Sequence, residues 1–73
     1  MEGLSRQQQR VYDYVLWYKT KKGMCPSIAD VADGLNLSST TVATYVDALK
    51  KKGRIISEYG TPRSLQVVLR EVV

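Results

Sequence analysis

Ser39, Thr40, Ala43 and Thr44 bring three hydroxyls and several methyl groups into one short stretch, at spacings that suit a single helical face. At about 100° per residue, Thr40, Ala43, Thr44, Asp47 and Lys51 share a side, and Val42, Val46 and Leu49 fall on the opposite side. Hydroxyls can donate to or accept from several base edges, and the methyls of Ala43 and Thr44 can meet a thymine methyl. None of these side chains makes the selective bidentate contact of arginine with guanine or of asparagine with adenine, so modest sequence preference or reliance on DNA shape is expected. Lys50, Lys51, Arg54 and Arg63 follow as cations suited to phosphate oxygens, which supply affinity and register. Arg63 has a second option in a minor groove. Asp47 shares the small face and would be repelled by phosphate; it could accept from a cytosine amino group, but a solvated position or pairing with Lys51 four residues on is its expected role.

This face needs a helix held in place. Ser38 is an expected N-cap, with its hydroxyl accepting from first-turn N–H groups. Val42, Val46 and Leu49, with Tyr45 beside them, supply the apolar seam. Lys50, Lys51 and Lys52 close the helix in favour of its dipole, and Gly53 suits the left-handed position after it.

Upstream, Ser5 is the expected cap of a first helix running to Lys21 or Lys22 and stopped by Gly23. Val11, Tyr14, Val15 and Tyr18 form its buried stripe, with Tyr12 at the edge. Leu16 and Trp17 lie off the stripe. Met24-Cys25-Pro26 reads as an extended link, because the residue before proline is pushed out of helical geometry. Ser27 caps a second helix, Asp30 completes an imperfect capping box, and Ile28, Val31, Ala32 and Leu35 make its apolar face. Gly34 weakens the last turn, and Asn36 tolerates the left-handed conformation that ends it. At the start of this helix, the Ser27 N–H and hydroxyl are candidates for a further phosphate.

A short capped helix, a turn of three or four residues and another capped helix make a helix-turn-helix, whose second member is the one placed in a major groove. After Gly53 the period changes. Arg54–Tyr59 and Ser64–Leu69 are β-branched runs joined by the turn sequence Gly60-Thr61-Pro62-Arg63, which predicts a hairpin, or wing. Ile55, Leu65, Val67 and Leu69 should face the core, with Glu58 and Gln66 outward. The tail, Arg70–Val73, either extends the last strand or frays. The expected fold is therefore mainly α (α+β), a three-helix winged helix-turn-helix with a C-terminal two-stranded wing. No repeat, linker or low-complexity segment is visible, so residues 1–73 are expected to form a single domain.

The 73 residues allow one small core, and 44% hydrophobic content predicts a folded chain. The net charge of +4 suits an anionic partner as well as plain solubility. With one cysteine and no histidine, neither an intrachain disulfide nor a Cys/His zinc site is expected, and a reducing, cytoplasmic setting fits. No apolar h-region opens the chain, and no apolar run approaches the ~18–20 residues of a membrane span. No catalytic constellation can be assembled from the side chains present, so no enzyme activity, cofactor or small-molecule ligand is expected.

Several segments resemble the N-terminal winged-helix DNA-binding domain of the LexA repressor family. They are Leu4-Ser5-Arg6-Gln7-Gln8 with Val11-Tyr12-Asp13, Gly23-Met24-x-Pro26-Ser27, Asp30-Val31-Ala32, Leu35-x-Leu37, Ala48-Leu49-x-x-Lys52-Gly53 with Ile55, and Pro62-Arg63-x-Leu65. The resemblance runs from about Leu4 to Val68. It implies a winged helix that binds double-stranded operator DNA and represses transcription. The turn before the recognition helix is a residue shorter than the family usually carries, Cys25 replaces a frequent proline, and the family's base-reading side chains are not reproduced. The resembling repressors carry a second domain with a serine–lysine self-cleavage site and most of the dimer interface. This chain stops at Val73, so self-cleavage is not expected and the mode of dimerisation stays open. Leu16 and Trp17 stand where the family tends to carry charge, which opens the alternative of an adaptor that binds another regulator, or a second copy of itself, through the first helix.

Overall fold

The computed structural model describes residues 3–58, 60, 61 and 63–68. Tyr59, Pro62, Leu69 and the tail 70–73 lie outside the described residues, and so do the expectations that fell on them. The elements run α1 (Arg6–Lys22), α2 (Ile28–Leu35), α3 (Ser39–Lys51), β1 (Ile55–Ile56) and β2 (Gln66–Val67).

Each helix starts where a serine side chain can replace a missing backbone partner. Ser5, Ser27 and Ser38 are extended, and their hydroxyls accept from the N–H groups of Gln8, Asp30 and Thr41. In α1 and α2 the box closes reciprocally, through the Gln8 and Asp30 side chains. Asp30, expected to be an imperfect partner, reaches the Ser27 N–H at 3.0 Å. The ends are equally specific. Gly23, at φ 72°, closes α1 with its N–H donating to the Lys19 carbonyl. Asn36, at φ 58°, closes α2, with its own N–H on Asp33 and that of Leu37 on Ala32. Gly53, at φ 73°, closes α3 in the same way, with Gly53 N–H on Lys50 and Arg54 N–H on Leu49. These paired bonds are Schellman motifs, which satisfy the last helical carbonyls and turn the chain sharply.

Three residues, Asn36, Leu37 and Ser38, separate α2 from α3. All three helices and the hairpin share one core. Val11 and Val15 enter from α1, Val31 and Ala32 from α2, Val42, Val46 and Leu49 from α3, and Ile55 and Leu65 from the hairpin. β1 and β2 pair antiparallel, with Ile55 opposite Val67 and Ile56 opposite Gln66. The regular strands are two residues each, much shorter than the six-residue runs expected from the β-branched pattern. Beyond the ladder, the described hairpin residues are joined by backbone bonds from the Thr61 N–H to the Glu58 carbonyl at 3.1 Å and from the Val68 N–H to the Arg54 carbonyl at 2.8 Å, and by the Ser64 side chain. The buried Ser64 hydroxyl donates to the Thr61 carbonyl at 2.6 Å and accepts the Glu58 N–H at 2.9 Å. The Leu65 N–H donates to the Pro26 carbonyl at 3.4 Å, which ties the link before α2 to the hairpin.

Gly34 has a reason that periodicity does not reveal. A Cβ built there would run into the Tyr14 ring and hydroxyl, because α1 crosses α2 at that point. Tyr14 also lies against Trp17 and Tyr18, with ring centroids 5.4 and 6.0 Å away. Burial raises the Tyr14 pKa above its ordinary value, as do Tyr18, Asp30 and Asp33 nearby, so the hydroxyl stays neutral. No helix among the described residues is long and apolar enough to cross a membrane.

Candidate nucleic-acid interface

The apolar seam of α3 is buried as its spacing requires, with Val42, Val46 and Leu49 almost wholly removed from solvent. This leaves Ser39, Thr40, Thr44, Asp47, Lys50 and Lys51 exposed and Ala43 half-buried. The N-terminal two turns therefore offer a low, hydroxyl-bearing surface with no large side chain. Thr44 Oγ1 donates to the Thr40 carbonyl at 3.1 Å, which fixes its rotamer and leaves its oxygen as an acceptor and its methyl as an apolar contact. The Ser38 hydroxyl donates to Thr41 Oγ1 at 2.8 Å, so it serves the helix start.

The cations differ in their freedom. Lys50 is exposed. Lys51 Nζ lies 3.4 Å from Asp47 Oδ2, four residues back, and both side chains are largely exposed. Solvent screening makes that pair weak, but it partly neutralises both charges on the open face. Arg54 is half-buried and its carbonyl accepts the Val68 N–H at 2.8 Å, which places it where α3 passes into the hairpin.

Two phosphate candidates are already engaged within the fold. Arg63 is not a free cation at the wing tip, since its Nη1 lies 2.9 Å from Asp30 Oδ2, with Met24 Sδ at 4.0 Å. The Ser27 N–H donates to the same Asp30 oxygen, which leaves the Ser27 hydroxyl as the group with a hydrogen to offer. Sequence spacing could not show this, because the partners lie on α2 and in the hairpin, thirty-three positions apart. The Asp30 carboxylate thus holds two things at once, the start of α2 and the base of the wing. Its pKa is lowered by the Ser27 backbone N–H first, then by the Ser27 side chain, Arg63 and Tyr18, against desolvation that raises it.

A carboxyl with a depressed folded pKa contributes stability above its unfolded value of about 3.9, and that contribution is lost as pH falls through the folded value. Asp30→Asn is therefore expected to lower stability near neutral pH by roughly 1 kcal/mol or less, given the partial exposure of the Arg63 pair. It should also flatten the stability curve below about pH 4. Denaturant unfolding at a series of pH values measures both effects.

Trp17, expected to protrude, is 46% exposed and leans on Tyr14. Leu16, expected to protrude with it, is half-buried instead. Lys52, unlike Lys50 and Lys51, is half-buried. Its position on the wheel, roughly 120° from Thr40, was the available signal that it faces away from the small surface.

Three helices and an antiparallel hairpin, with α2 and α3 joined through a tight turn, define a winged helix-turn-helix. Residues 1–64 match the family model described as the LexA DNA binding domain. Relatives named LexA repressor include that of Herpetosiphon aurantiacus, 39% identical over 72 residues, covering 97% of this chain and 34% of the relative. Those of Koribacter versatilis and Thermosipho melanesiensis are 33% and 35% identical, covering 93% and 97% of this chain and 33% and 36% of theirs. The chain belongs to the LexA DNA-binding domain family. It spans about a third of the length of the curated relatives it matches.

Proposed function

We propose that residues 1–73 act as one unit that binds double-stranded DNA and represses transcription, with α3 seated in the major groove. Ser39, Thr40, Ala43 and Thr44 meet base edges, and Lys50, Lys51, Arg54 and the Ser27 hydroxyl meet phosphates. The wing lies on the backbone or over a minor groove, with the N–H groups of Arg63 that Asp30 does not use turned toward it. The observation that carries this reading is the exposed, hydroxyl-bearing surface of α3 with Lys50 exposed at its end. A small helix face admits close approach to base pairs, and hydroxyls discriminate among them only modestly.

Salt dependence tests it. Affinity for duplex DNA should fall steeply with salt, and Lys50→Ala should flatten the slope of log affinity against log salt by about 1. Lys51→Ala should flatten it less, because Asp47 already offsets that charge. Affinity that ignores salt would contradict the reading.

The exposure of Trp17 favours a second reading, an adaptor that binds another regulator or a second copy of the chain through α1. Undetectable binding to random duplex at low salt would favour the adaptor.

A further inference from the structure

Lys52, the last of the three lysines that close α3, turns away from the open face and is half-buried. Its Nζ donates to the Gly3 carbonyl at 3.0 Å and to Gln8 Oε1 at 2.9 Å, on residues 49 and 44 positions earlier. Gln8 Oε1 also accepts the Ser5 N–H at 3.1 Å, and the Gln8 N–H donates to Ser5 Oγ. One amide oxygen therefore joins the capped start of α1 to the end of α3. Lys52 itself sits where α3 gives way to Gly53, and the bonds of Gly53 and Arg54 back to Lys50 and Leu49 fix the chain there.

We propose that Lys52 and Gln8 form a positioning pair that sets the seat of α3 on α1, so that discrimination between DNA sequences depends on it while phosphate attraction does not. This rests on the reading of α3 as the helix in the groove. A helix of this length is roughly 20 Å long at about 1.5 Å per residue, so a tilt of about 10° displaces one end by about 3 Å, the length of a hydrogen bond. Readout of base edges through short hydroxyl side chains has no slack to absorb such a shift, because a serine or threonine cannot extend to follow the base. Phosphate contacts through long, flexible lysines do have that slack. Lys52 is thus expected to influence sequence choice without touching DNA.

The test compares two duplexes of equal length, one enriched by the parent chain from a random pool and one of random sequence. Lys52→Met keeps the apolar stem and removes the donors, and Gln8→Ala removes the acceptor while leaving the lysine. Gln8→Glu keeps an oxygen for both Ser5 and Lys52. Circular dichroism first confirms that each variant is folded at the assay temperature. Lys52→Met and Gln8→Ala should each lower affinity for the enriched duplex roughly tenfold, leave that for random duplex within about twofold, and leave the salt slope unchanged. The double variant should be no worse than either single one, and Gln8→Glu should retain the parent's preference. A slope flattened by Lys52→Met as by Lys50→Ala would overturn the proposal, since Lys52 would then be a phosphate contact. Equal losses on both duplexes would also overturn it. A parent chain that binds neither duplex at low salt would instead overturn the proposed function, and the positioning role with it.

Discussion

Thr44→Glu is expected to lower affinity for duplex DNA by roughly a hundredfold while leaving the fold intact. Thr44 is exposed in the middle of the small face of α3, and what it contributes to the fold is one hydrogen bond to the Thr40 carbonyl. Glutamate is a better helix former than threonine, so stability should change little. On the DNA side the same change adds bulk and a negative charge. Like charges brought together at an interface cost several kcal/mol, and about 3 kcal/mol corresponds to roughly two decades of affinity. Asp47 already places one carboxylate on this face, but Lys51 lies beside it at 3.4 Å, and no such neighbour in α3 stands four residues from Thr44. Titration of a fluorescent duplex measures the loss, and thermal unfolding checks the fold. Unchanged affinity would remove α3 from the interface.

Gly34→Ala is expected to destabilise the chain by about 1–3 kcal/mol, the usual cost of forcing extra volume into a packed site. Helix propensity alone predicts the opposite, a gain of up to about 1 kcal/mol from replacing a glycine in the last turn of α2. The collision with Tyr14 decides the sign. A flexible side chain would move aside cheaply, but this ring lies against both Trp17 and Tyr18, so displacing it disturbs the aromatic cluster on α1. In a domain of this size each kcal/mol lowers the melting temperature by about 4–8 °C. Calorimetry or thermal circular dichroism gives the sign directly. The double variant Gly34→Ala, Tyr14→Ala should lose less than the two single losses added together, because the collision vanishes with the ring.

The helices were legible because their limits are local chemistry. Ser5, Ser27 and Ser38 announce the starts, Gly23, Asn36 and Gly53 the ends, and the apolar spacing between them gives the buried faces. The hairpin was legible in its order but not in its extent, since β-branched residues favour strands without saying where the ladder bonds stop. The open face of α3 followed from the same periodicity that buried Val42, Val46 and Leu49. What sequence could not show were the contacts between side chains far apart in the chain. Arg63 on Asp30, Lys52 on Gln8 and Gly3, and Tyr14 over Gly34 each depend on how the helices and the hairpin pack against one another. Spacing within one helix carries no information about that packing. A charged residue's type therefore said that it could meet phosphate, and only the fold showed that Arg63 is shared with Asp30 and that Lys52 reaches Gln8 and Gly3.

The small face of α3 is proposed to enter the groove. The most direct measurement is the change in backbone amide and Trp17 indole resonances of the isotopically labelled chain as duplex DNA is added. The largest changes should fall on Ser39, Thr40, Ala43, Thr44 and Lys50, with smaller ones at Ser27 and around Arg63, while the Trp17 indole stays near its free position. Changes centred on Leu16 and Trp17, with residues 39–44 unmoved, would contradict it.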